Sequence, residues 1–209
     1  MEQPEVHQPH THHRGLPRWL ELVIALTALI TSISSIAIAM HHGKVMEKLV
    51  QANSLPFMQG GFSDATEQGE SILSLDLYNR GVGPAYQQSL RLTVDGKPVK
   101  SVRELAAAAL GPETATEATG TLVSLQNRVP KRYIPAGQQQ FVFKIRKTPE
   151  NASYWDQLQA SQKRWNVEFC YCSVFDECWR VPGKWEQPVA VESCPRDESV
   201  EFVPLRAGR

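Results

Sequence analysis

The chain has 209 residues, with 22 Lys plus Arg balanced by 22 Asp plus Glu, 42% apolar residues and 21% charged ones. That length bounds the protein to one ordinary domain with accessory segments, or two small domains. Zero formal net charge excludes recognition of nucleic acid through an overall field, because phosphate binding needs a surplus of Lys and Arg. The apolar content also excludes a wholly disordered chain.

Placement says more than totals. All six His (His7, His10, His12, His13, His41, His42) lie in the first 42 residues, and all four Cys (Cys170, Cys172, Cys178, Cys194) lie late in the chain. Residues 1–18 are polar, Pro-containing and His-rich, which predicts a disordered tail, with loose coordination of Cu or Ni as the alternative. Leu22 to Met40, LVIALTALITSISSIAIAM, holds no Asp, Glu, Lys or Arg. A helix over it spans about 28 Å, near the ~30 Å hydrocarbon core of a bilayer, so 19–41 is predicted to be a transmembrane helix. Its hydroxyls (Thr27, Thr31, Ser32, Ser34, Ser35) are tolerable in lipid, because each can bond back to the preceding turn. Ala37-Ile38-Ala39 fits a signal-peptidase site, yet the apolar run exceeds the usual h-region, which favours an uncleaved anchor. The flanking basic residues nearly balance, so charge alone leaves the orientation tied.

Residues 42–56 continue as a helical stalk. Val45, Met46, Leu49 and Val50 form a short stripe that offers a homodimer seam, and Pro56 stops the helix. Ala25, Ala28, Ser32, Ser35 and Ala39 line a small-residue face suited to packing in a larger membrane complex.

From residue 57 the texture becomes short strands between turns. Ser71 to Tyr78 and Ser89 to Val94 alternate apolar and polar residues, as half-buried strands do. Asp95-Gly96 signals a type I′ hairpin into Lys97 to Val99. The glycines of NRGVGPA (Asn79 to Ala85) are read as serving a turn with positive φ. Val102 to Leu110 is a short Ala-rich helix, GPETATEATG (111–120) a loop, Thr121 to Leu125 and Gln140 to Ile145 strands, and Ser153 to Gln162 a helix. Trp165 to Phe175 and Cys178 to Val181 are expected to pair as a hairpin across Asp176-Glu177. The fold class that follows is mainly β: a transmembrane helix, then an antiparallel sandwich with one or two short helices, covering 57–195, with 196–209 as a tail.

Four Cys within 25 residues suit two disulfides in an oxidising compartment. Cys170 and Cys172 share a strand face about 7 Å apart, too far to bridge each other without strain. Two of the three possible pairings remain, and the one expected joins Cys172 to Cys178, which flank the connection SVFDE of the hairpin, and leaves Cys170 for Cys194. A four-thiolate zinc site and a thiol-redox site compete with this. The first wants ligand pairs spaced by two to four residues, and the second wants a C-x-x-C or a helix N-terminus. Bridges place residues 44–209 outside the cytoplasm, with the N-terminus inside.

No His follows His42, which removes His-activated nucleophiles and His-ligated metal from the β domain. No catalytic residue, cofactor or metal is assigned. Residues 55–209 carry 18 basic and 18 acidic side chains, evenly mixed, so field implies no ligand class. Among the late aromatics, Tyr171, Phe175, Trp179 and Trp185 are the candidate interaction surface.

An N-terminal helix followed by NRGVGPA, DGKPV (Asp95 to Val99), YIPAG (Tyr133 to Gly137) and CYCSVFDECW (Cys170 to Trp179) resembles bacterial single-pass membrane proteins with an extracytoplasmic immunoglobulin-like domain. The resemblance covers most of residues 20–182. It implies a β-sandwich anchored in the inner membrane and facing the periplasm, and no activity comes with it. The expected role is a non-catalytic interaction or accessory module, whose partners are the lipid bilayer and another membrane or periplasmic protein. A thiol-redox or metal-handling protein and a structural membrane-complex subunit are the alternatives.

Overall fold

The computed structural model describes residues 17–64, 66–67, 69–118, 121–122, 124–126 and 131–203. The expected disordered tail therefore falls, but for its last two residues, outside the described residues. The chain divides into two units, Met1–Leu49 and Val50–Arg209.

Helix α1, Arg18–Ala52, has 35 residues and none of them is buried. It is long and apolar enough to cross a membrane, as a single-pass anchor or a signal sequence would be. Its hydroxyls bond back along the helix, Thr27 Oγ1 to the Ile24 carbonyl at 2.9 Å and Ser32 Oγ to the Ala28 carbonyl at 2.7 Å. An uncompensated hydroxyl in hydrocarbon would cost several kcal/mol on the scale where nothing else can bond it, about 4–8.

The second unit is two antiparallel sheets with few short helices. The first contains β1 (Met58–Ser63), β2 (Thr66–Glu67), β3 (Glu70–Asn79), β6 (Ser124–Gln126) and β8 (Gln139–Arg146), in the order β1-β3-β8-β6 with β2 on β3. The second contains β4 (Ala85–Val94), β5 (Lys97–Val99), β7 (Arg132–Ile134), β9 (Trp165–Cys172), β10 (Cys178–Val181) and β11 (Val189–Val191), in the order β11-β10-β9-β4-β5 with β7 on β4. Alternation decides the inner faces. Leu73, Leu75 and Leu77 from β3, Leu90, Leu92 and Val94 from β4, and Val167, Phe169 and Tyr171 from β9 share one core. The β4–β5 turn has Asp95 at φ 49° and Gly96 at φ 75°, the paired positive φ of a type I′ hairpin.

Helix α2 (Val102–Leu110) starts at Ser101, whose side chain accepts from the Glu104 amide, while Glu104 Oε2 accepts from the Lys100 amide at 2.8 Å. Helix α4 (Ala152–Ser161) buries Trp155 and Leu158, and the Trp155 indole donates to the Ile145 carbonyl at 3.0 Å.

Several expectations are corrected. Residues 112–118 form helix α3 (Pro112–Ala118), not a loop. Proline suits a first helical position, and Ala115 and Ala118 alone provide the buried face. Gly60-Gly61, which in sequence reads as a break after Pro56, lies inside β1. A Cβ on Gly60 would come 2.6 Å from Phe169, so glycine there answers close packing. The glycines of NRGVGPA are absent from the positive-φ residues. They let the backbone lie against residues 54–57, where Val82 N donates to the Leu55 carbonyl at 3.1 Å and Arg80 N to the Phe57 carbonyl at 2.8 Å. A Cβ on Gly83 would overlap the Ser54 carbonyl. Buried Asn79 holds this corner, donating to the carbonyls of Gly83 (2.8 Å) and Ile134 (2.9 Å) and accepting from Gly81 N (3.0 Å).

The C-terminal segment, expected as a tail from 196, returns to the core. Phe202 is fully buried beside Phe143, with ring centroids 6.1 Å apart. Its amide donates to the Leu90 carbonyl at 2.8 Å, and Val203 N to the Lys100 carbonyl at 3.0 Å. One large apolar side chain in a polar stretch is enough to pin the segment.

Candidate functional site

The distinctive chemistry sits on β9 and β10. Core residues Val167, Phe169 and Tyr171 alternate along β9 with Glu168, Cys170 and Cys172, so both cysteines face away from the core. Strand β9 ends at Cys172, earlier than expected. Ser173 begins the loop to β10, its Oγ accepting the amides of Phe175 (3.1 Å) and Glu177 (3.3 Å), and this local bonding competes with the ladder. Cys172 and Cys178 are direct partners in the β9–β10 register and are joined by a disulfide. Cys170 is joined to Cys194, which follows β11, with Cα atoms 5.6 Å apart. That bridge ties the segment after β11 to the outer face of β9.

The two bridges adjoin. Cys172 Sγ lies 3.7 Å from Cys194 Sγ, and the Sγ atoms of Cys172, Cys178 and Cys194 all lie within 4.8 Å of one another. This is metal-cluster spacing, but a soft metal needs thiolates and each of these sulfurs is bonded to another. Glu168 faces Arg180 at 3.7 Å. Both are partly exposed, which limits the pair to a fraction of a kcal/mol, about 0–1.

The four aromatics expected on one surface separate. Tyr171 belongs to the core at 1% exposure. Its hydroxyl accepts the Met58 amide at 3.2 Å, and burial pushes its pKa up to about 12. Trp179 stacks on it, with centroids 5.6 Å apart, and packs against the core. Phe175 on the hairpin loop and Trp185 remain exposed, at 45% and 53%. Trp185 has φ 63°, a conformation rare for a bulky residue. It is held there by its amide bond to the Gly60 carbonyl (3.0 Å) and by lying on Gly61, where a Cβ would collide with the indole. Among the described residues no ring contact joins Phe175 to Trp185.

Two polar features went unread in the sequence. Asp76, 1% exposed, is on the face of β3 opposite the leucines. Its carboxylate accepts from Ser74 Oγ and from Gln139 Nε2 at 2.9 Å. The SILSLDLY alternation (Ser71 to Tyr78) marked Asp76 as outward, but not as covered. An open depression on the outer side of the second sheet is bordered by Arg91, Cys170, Arg180 and Glu201, and burial raises the pKa of the Glu201 carboxyl. In comparisons with protein families, curated proteins and solved structures, nothing matches the chain.

Proposed function

We propose that the chain is a single-pass protein of the bacterial inner membrane with a cytoplasmic N-terminus. Its β domain, an immunoglobulin-like sandwich, stands in the periplasm as a non-catalytic interaction or accessory module. The observation that carries this reading is the pairing of all four cysteines in two bridges downstream of an exposed 35-residue apolar helix. Bridges persist in oxidising compartments and are rare in the cytoplasm, which breaks the charge tie at the membrane in favour of N-in, C-out. Two sheets closed over one core support the sandwich. Exposed Phe175, Val174 and Trp185, together with the short edge strand β11, offer surfaces to a protein partner.

The test is thiol alkylation of the unreduced full-length chain in cells, combined with protease applied from the periplasmic side. No label before reduction, four labels after it, and digestion of the β domain are expected. Four free thiols would refute the compartment. For the interaction role, crosslinking of the full-length chain is expected to capture a membrane or periplasmic protein, and a Phe175→Ser, Trp185→Ser variant is expected to lose it. Capture that survives the double variant would remove this surface from the proposal.

A further inference from the structure

Two disulfides need not touch, and here they do. Cys170 and Cys172 lie two residues apart on one face of β9, and their bridging partners arrive separately: Cys178 from across the hairpin, Cys194 from the segment after β11. The result is the 3.7 Å approach of Cys172 Sγ to Cys194 Sγ, a non-bonded sulfur contact. Thiol–disulfide exchange proceeds by attack of a thiolate on one sulfur of a bridge, and its rate depends on which sulfur is within reach. For Cys172 the sulfur within reach is Cys194.

We propose that the four cysteines form one thiol–disulfide exchange site, in which a thiolate at Cys172 attacks Cys194 and expels Cys170. The Cys172 sulfur donates an electron pair to Cys194 Sγ. The Cys172–Cys194 bond forms, the Cys170–Cys194 bond breaks, and the pair leaves on Cys170 as a thiolate that takes a proton from solvent. The substrate class is an external dithiol. Its thiolate attacks Cys178 Sγ and frees Cys172, and its second sulfur then closes on the first, leaving the dithiol as a disulfide and Cys178 as a thiol. Two electrons pass from the dithiol to the pair of bridges, one bridge remains as Cys172–Cys194, and Cys170 and Cys178 end as thiols.

Three of the four cysteines are buried, Cys170 at 2%, Cys172 at 5% and Cys178 at 8% exposure, and each end of the relay adjoins more exposed residues. Cys178 directly follows the exposed loop residues 174–177. Cys170 lines the depression beside Arg91 and Arg180, the side from which a reagent must reach the released thiol. The inference adds a redox step to a domain otherwise read as non-catalytic, leaves its compartment and interaction surface as proposed, and stands or falls separately, since it concerns the sulfurs alone.

The experiment uses the full-length Cys178→Ser variant purified in detergent without reductant, treated with iodoacetamide and mapped by peptide mass. Cys172 starts as the free thiol. Exchange between similar thiols is close to balanced, so label on Cys170 within about tenfold of that on Cys172, with a Cys172–Cys194 peptide, is expected. Label on Cys172 alone, beside an intact Cys170–Cys194 peptide, overturns the proposal. If the variant does not fold, the native chain is given substoichiometric dithiothreitol and quenched over time. Early appearance of Cys172–Cys194 with labelled Cys170 and Cys178 is expected. Labelled Cys172 and Cys178 beside intact Cys170–Cys194 refutes it. Equal formation of Cys170–Cys178, the mark of unfolded chains reshuffling, refutes it as well.

Discussion

Replacing Phe202 by alanine tests whether the C-terminal segment is part of the domain. Phe202 is 0% exposed, packs against Phe143, and lies between two backbone bonds, its own amide to Leu90 and Val203 N to Lys100. Returning a buried phenyl ring to water accounts for about 1.5–3 kcal/mol. The cavity left behind adds to this where neighbours cannot collapse, and the surrounding β strands are held by their ladders, so the total should reach about 3–5 kcal/mol. With a urea slope of about 2 kcal/mol/M for a domain of this size, the midpoint of the full-length chain in detergent should fall by about 1.5–2.5 M. Tryptophan fluorescence reads the transition, since Trp155 and Trp165 are buried in the same core. Phe175→Ala is the control: that ring is 45% exposed and its loss should change stability by no more than about 0.5 kcal/mol. Equal midpoints for the two variants would show that residues 196–203 are a tail after all.

Further outcomes follow from the same geometry. Gly83→Ala should cost about 1–3 kcal/mol of stability, as overpacking does, because its Cβ meets the Ser54 backbone; an unchanged urea midpoint would contradict the close approach. Removing Cys170–Cys194, which spans 24 residues, should cost more than removing Cys172–Cys178, which spans six. Chain entropy gives about 3.4 against about 2.2 kcal/mol, to be compared as paired Cys→Ala variants in urea. Tyr171 binds its proton more tightly folded, its pKa raised from 10.0 to about 12. Its contribution is therefore complete below pH 10 and lost as pH rises through 12. Thermal midpoints of the native chain should fall across that window, and Tyr171→Phe should flatten the fall while losing about 0.5–1.5 kcal/mol for the Met58 bond at neutral pH; an equally steep fall in the variant would exclude Tyr171 as the titrating group.

The apolar run of α1 and the alternation in β3, β4, β8 and β9 are local properties, because burial on one side imposes a period of two on a strand and a charge-free stretch imposes a lipid-compatible helix. The Asp95-Gly96 hairpin is local too, since only certain residues accept its dihedrals. Spacing excluded only a Cys170–Cys172 bridge, because two residues on one strand face must each reach elsewhere, and the choice between the two remaining pairings rests on the β9–β10 register. Other elements had no local signal. Helix α3 packs with alanines only, β1 carries two glycines that exist for Phe169 and Trp185, and β7 and β11 are three-residue strands made by their neighbours. An isolated Tyr or Trp does not disclose its environment, so the separation of buried Tyr171 from exposed Phe175 and Trp185 had to wait for the tertiary fold. The contact between the two bridges also arises there, because it depends on where the segment after β11 crosses β9, and no spacing between cysteines encodes that crossing.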